Sequence, residues 1–126
     1  MNKFIKVLII STLFISFSAQ KIVDKPVMEF KSTIYNVGKI KLGKKIKHTF
    51  EFTNKGNEPI FIMNVQTTCG CTASEWTKKP IQPNEKGFIN IVFDAKSIGN
   101  FSKTAYVYAN AKNSPVTLKI KGEVIK

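Results

Sequence analysis

The run Ile46-Lys47-His48-Thr49-Phe50-Glu51-Phe52-Thr53, followed at once by Asn54-Lys55-Gly56-Asn57-Glu58-Pro59, decides the fold class. Ile46, His48, Phe50 and Phe52 share one parity, and Lys47, Thr49, Glu51 and Thr53 share the other. Side chains of an extended chain point alternately to opposite faces, so this period of two predicts a half-buried strand. The Asn, Gly and Pro that follow punctuate the chain and predict a turn.

Working outward, the same grammar repeats. Residues 60–65 form a more continuous apolar strand, and residues 80–87 a loop in which Pro83-Asn84 suits the centre of a type I turn. Ile89, Ile91 and Phe93 alternate with Asn90 and Val92, and residues 94–100 make a loop containing Gly99. Residues 104–108 are rich in aromatic and β-branched side chains, and residues 110–115 are a turn cluster. Val116, Leu118, Ile120 and Val124 then alternate against Thr117, Lys119, Lys121 and Glu123. Towards the N-terminus, residues 26–30 and 32–37 are extended in character, with a break at Gly38. No 3.6-residue period occurs after the first twenty residues. About seven short strands at regular spacing in roughly 100 residues predict an all-β, immunoglobulin-like β-sandwich. The one irregular stretch, residues 67–80, holds both cysteines and the only tryptophan.

Residues 1–19 read as a signal peptide. Lys3 and Lys6 precede an apolar run over residues 7–17, and small residues follow at Ser16, Ser18 and Ala19. The run is shorter than the ~20 apolar residues a spanning helix needs. No cysteine lies near the cleavage point, so a bacterial lipid anchor is not expected. The expectation is a single domain over residues 20–126, exported to the periplasm or beyond and not membrane-spanning after cleavage.

Composition narrows the function classes. A chain of 126 residues allows one domain, and 43% hydrophobic content is too high for a disordered basic tail. Two cysteines are too few for a disulfide-dense scaffold or a four-cysteine zinc site. The net charge of +12, which becomes +10 without the leader, comes from lysine alone, since the chain has no arginine. Base-specific readers lean on arginine forks to guanine, and export removes the chain from the chromosome, so a nucleic-acid partner is not expected. Lys39, Lys41, Lys44, Lys45 and Lys47 cluster, and Lys119 and Lys121 recur. This predicts a solvated lysine face suited to anionic lipopolysaccharide or an acidic partner.

Cys69-Gly70-Cys71 is the candidate chemical element. One reading is a structural disulfide or a pair of inert thiols; an exported chain with two cysteines makes pairing plausible, and Gly70 eases the unusual backbone of so short a ring. A second is redox exchange, for which Lys78 and Lys79 are candidate thiolate stabilisers. A third is a soft metal such as Cu(I) on two thiolates, with Met63 or His48 as candidate further ligands. Trp76 is a candidate cover for the turn or an anchor for a partner. His48 has inward parity, which predicts a structural role at the sheet rim. Tyr106 and Tyr108 share a face, for a ligand or for cross-strand packing. The eight acids are scattered, without paired carboxylates at a readable spacing. There is no serine-nucleophile, phosphate-loop or calcium-loop motif. No catalytic residue, cofactor or metal is therefore expected.

The order Phe50-Glu51-Phe52-Thr53-Asn54-Lys55-Gly56-Asn57-Glu58-Pro59, Cys69-Gly70-Cys71-Thr72, Glu75-Trp76 and Ile81-Gln82-Pro83-Asn84-Glu85-Lys86-Gly87 resembles the exported bacterial family called domain of unknown function 1573. The likeness continues through Phe93-Asp94, Gly99-Asn100-Phe101 and Asn110, and Cys-Gly-Cys-Thr is its most specific part. It implies an immunoglobulin-like fold and a Bacteroidetes-type source. The pattern is also similar to Ig-like modules of the ASH and Hydin group, which implies interaction rather than catalysis. Asn84 stands where that family often has glycine. The expected function is an exported, non-enzymatic interaction module of the cell envelope, with unsealed sheet edges as its contact surface through strand addition. Its partner would be a protein or an envelope component, with the oligomeric state left open. The alternative is a thiol-redox or copper-binding protein using Cys69 and Cys71.

Overall fold

Eight strands follow one another in the described residues, 25–68 and 71–126, of a computed structural model. The leader expected over residues 1–19 and the cysteine at position 69 lie outside the described residues. In chain order the strands are β1 (Met28–Phe30), β2 (Ile34–Lys41), β3 (Lys45–Asn54), β4 (Ile62–Thr67), β5 (Cys71–Trp76), β6 (Lys86–Asp94), β7 (Gly99–Ala109) and β8 (Val116–Ile125). They form two four-stranded sheets, ordered β1-β3-β6-β5 and β2-β8-β7-β4. Only β2 and β8 pair in parallel; the other neighbours are antiparallel. Among the described residues no helix is long and apolar enough to cross a membrane.

The alternation read in β3 is the alternation that folds. Ile46, His48 and Phe50 lie opposite Phe93, Ile91 and Ile89 of β6. Phe50, Phe52, Ile89 and Ile91 meet Val107, Leu118 and Ile120 of the other sheet, all 2% exposed or less. Burying each such side chain contributes about 1.5–3 kcal/mol. Phe52 faces Gly87, where any side chain would run into the Phe52 ring and Ile81. The turn after β3 is fastened from inside. Asn54 is fully buried, donates its Nδ2 to Glu58 O (2.7 Å) and Ile81 O (2.9 Å), and accepts Gly56 N–H on Oδ1 at 2.9 Å.

Three details differ from the sequence expectation. The irregular stretch contains a strand, β5, which raises the count from about seven to eight. A register shift between Ala73 and Glu75 breaks its alternation, so no period of two shows in the sequence. Gly38 does not end β2; with φ of 73° it sits at an irregularity between Asn36 and Gly38, and the strand continues to Lys41. Around Pro83-Asn84, Glu85 N–H donates to Gln82 O at 2.9 Å and Asn84 has φ of 67°. Positive φ at the third position makes this a type II turn, not type I, and explains why glycine also suits it.

Candidate functional site

β4 ends one sheet and β5 ends the other, so Thr67 and Cys71 belong to different sheets. Cys71 N–H donates to Thr68 O at 3.2 Å. Thr68 N–H donates to Thr104 O of β7 at 3.0 Å, and Thr67 Oγ1 donates to Cys71 O at 2.9 Å. Cys71 lies opposite Phe93 and packs half-buried beside the Phe93–Phe101 stack, whose ring centroids are 4.1 Å apart. Burial pushes its thiol up to about 11, with the nearby Lys103 charge opposing. That raised pKa disfavours the thiolate and so weakens Cys71 as a nucleophile.

The candidate neighbours of the cysteine turn are placed elsewhere. Trp76 lies opposite Ile89, four residues along β6 from the Cys71 partner, or about 13 Å at strand rise. There it packs on the core, with Lys78 Nζ 3.3 Å from the ring centroid. His48 is stacked on Tyr35 and edge-on to Phe50, centroids 4.6 Å apart. Burial lowers its pKa from the ordinary 6.5, which favours neutral imidazole. Met63 is 65% exposed near the start of β4, while the turn follows its end. The described residues bring no three of His, Cys, Asp and Glu into a cluster that could hold a metal ion.

The four sheet edges differ in how they are defended. β1 is three residues long, and Asn113 takes both Met28 groups, accepting its N–H (3.1 Å) and donating to its C=O (2.8 Å). β2 carries Lys39 and Lys41 and an irregularity at Gly38. β5 is broken by its register shift and carries Glu75. β4 has neither charge nor proline, and its one irregularity, between Ile62 and Asn64, leaves Asn64–Thr67 in regular register with β7. Phe61 and Met63 stand exposed at its start. Val65 N–H is satisfied by the adjoining Asn64 Oδ1 at 2.9 Å, a local bond a docking strand can replace. On the outer face, Asn64 and Gln66 lie opposite Tyr108 and Tyr106. The sequence singles out Met63, the two tyrosines and unsealed sheet edges in general, but neither Phe61 nor which edge is open. The available signal was the absence of charge: residues 59–74 carry none in a chain with 20 lysines.

A family model described as Protein of unknown function (DUF1573) matches residues 28–124. No curated protein matches the chain. Among solved structures, a protein of unknown function from Porphyromonas gingivalis W83 is similar at 24% identity and TM-score 0.69, covering 86% of this chain and 51% of that one. The chain thus spans about half the length of that relative. The VesB protease of Vibrio cholerae is similar at 14% identity and TM-score 0.66, over 76% of this chain and 31% of that one. The ASH / PapD-like domain 7 of human CEP192 is similar at 10% identity and TM-score 0.64, over 79% of this chain and 85% of that one. At these identities the likenesses speak for the fold alone.

Proposed function

The chain belongs to the family described as Protein of unknown function (DUF1573), and on that premise we propose an exported, non-enzymatic interaction module of immunoglobulin-like type. Its working surface is the edge of β4, which receives an extended segment of an envelope protein as an added strand. The observation that carries this reading is the contrast among the four edges. β1 is short and capped, β2 is charged and irregular, β5 is bulged and carries Glu75, and β4, uncharged throughout, is regular from Asn64 to Thr67. Native proteins blunt free edges with charge, proline or bulges because an open ladder invites pairing. Leaving one open suits strand addition, in which main-chain hydrogen bonds give affinity and flanking side chains give selectivity. Phe61 and Met63 would supply that selectivity. The structural likeness to an ASH / PapD-like domain supports the sandwich on which such an edge is displayed. The leader-like residues 1–19 support the envelope address. The half-burial of Cys71, which raises its thiol pKa, favours this reading over thiol-redox exchange.

A charge placed on the edge tests the reading. Capture of envelope proteins by the wild type is compared with capture by Met63→Lys/Gln66→Lys and by Asn36→Lys on the β2 edge. The reading requires one captured protein to be lost with the β4 charges and retained with Asn36→Lys; equal capture by all three would contradict it.

A further inference from the structure

The end of the sandwich where β2 turns into β3 presents an apolar side chain at a turn tip. Leu42 is 47% exposed, immediately after the buried Ile40 and the exposed Lys41. On the adjoining connection between β6 and β7, Ile98 is 59% exposed. The two loops are tied together: Gly43 N–H donates to Ala95 O (2.7 Å), and Ala95 N–H donates to Lys44 O (2.9 Å). Ala95 is fully buried beneath them, and Leu42 N–H donates to Ile125 O at 2.8 Å. The Leu42 tip is thus held by anchored backbone, and the connection carrying Ile98 is tied to it through Ala95.

Lysines surround the tips. Lys41, Lys44, Lys45 and Lys96 are all exposed. Among the described residues Lys31–Glu51 is the one ion pair; Asp94 lies opposite Lys45 in the ladder without closing another. Lysine alone does not single out this end. Lys25, Lys55 and Lys112 line another open depression, but none of the exposed large apolar side chains lines that one. The distinguishing feature is exposed apolar tips and exposed ammonium groups together at one end, where the two connections are tied by backbone hydrogen bonds.

We propose that this end docks onto an anionic phospholipid surface, with Leu42 and Ile98 entering the headgroup layer and Lys41, Lys44, Lys45 and Lys96 facing lipid phosphates. The chemistry selects this occupant. An acidic protein would satisfy the lysines but has no use for two apolar points held apart on loop tips, whereas an interface accepts both together. Each lysine near an anionic surface strengthens binding about fivefold, and each buried apolar tip contributes at least about tenfold. The surface is separate from the β4 edge, so either proposal can fail without the other.

The test is sedimentation of the full chain with vesicles of phosphatidylcholine alone or with about 30% phosphatidylglycerol. Every variant carries the same residues 1–24, so differences report the loops. Expected are preference for the anionic vesicles, a loss of about 25-fold in Lys44→Ser/Lys45→Ser, and a loss of at least about 100-fold in Leu42→Ser/Ile98→Ser. Lys55→Ser/Lys112→Ser should stay within about twofold of wild type. Melting curves should coincide, because all the substituted side chains are exposed. Equal losses in both lysine pairs would reduce the effect to net charge and overturn the proposal. So would unchanged binding by the apolar pair variant, or no preference for anionic vesicles.

Discussion

The imidazole of His48 lies flat on the phenol ring of Tyr35, with centroids 3.7 Å apart and planes 8° from parallel. His48 belongs to β3 and Tyr35 to β2, so the stack joins the two sheets near one side of the sandwich. The lone histidine is thus a clasp between layers, with Phe50 edge-on to its ring. Burial lowers its pKa from the ordinary 6.5. The unfolded chain therefore binds this proton at a higher pH than the folded one, and stability falls as pH drops below about 6.5. His48→Phe keeps an aromatic stack and removes the proton. Its melting temperature should change less between pH 7.5 and 5 than that of the wild type; an unchanged pH profile would remove His48 from the acid response.

Asn54 makes three hydrogen bonds from a fully buried position. Asn54→Ala leaves the buried Ile81 carbonyl without its donor and removes the part-buried bonds to Glu58 O and Gly56 N–H. A loss of about 2–4 kcal/mol is expected in urea unfolding. A loss below about 1 kcal/mol would mean the turn is held by its backbone alone.

At Asn84 the backbone has φ of 67°, which alanine tolerates poorly and glycine freely. Asn84→Ala should cost about 1 kcal/mol, while Asn84→Gly should remain within a few tenths of wild type. Equal costs for the two would argue against the left-handed turn.

Cys71 offers a check on the chemistry of its turn. In a Cys69→Ser background, its alkylation by iodoacetamide should be slow at pH 8 and accelerate towards pH 11, following the thiol that burial pushes up to about 11. Rapid alkylation at pH 7 would revive the redox reading.

Legibility in the sequence followed the regularity of the ladder. β3, β6 and β8 keep strict alternation over most of their length, and their inward residues were readable one by one. β5 was hidden because the shift between Ala73 and Glu75 puts Trp76 on the inward face at an odd spacing from Ala73. The same shift explains why Trp76 looked like a partner for the cysteines when it anchors the far end of its strand. Gly38 misled for a related reason: one symbol serves both for chain breaks and for strand irregularities. The cysteine turn was easy to notice because cysteine is rare in this chain. The β4 edge was not, because which strand lies outermost depends on the long crossovers between sheets, which local pattern does not encode.

Strand addition at β4 can be read most directly by site-specific photocrosslinking in living cells of the native host. Probes replace Met63 or Gln66 on β4, and Ile34 on the opposite edge of the same sheet serves as the control. The account predicts a common adduct from both β4 positions and none from Ile34. Adducts from Ile34 alone, or the same adduct from all three sites, would contradict it.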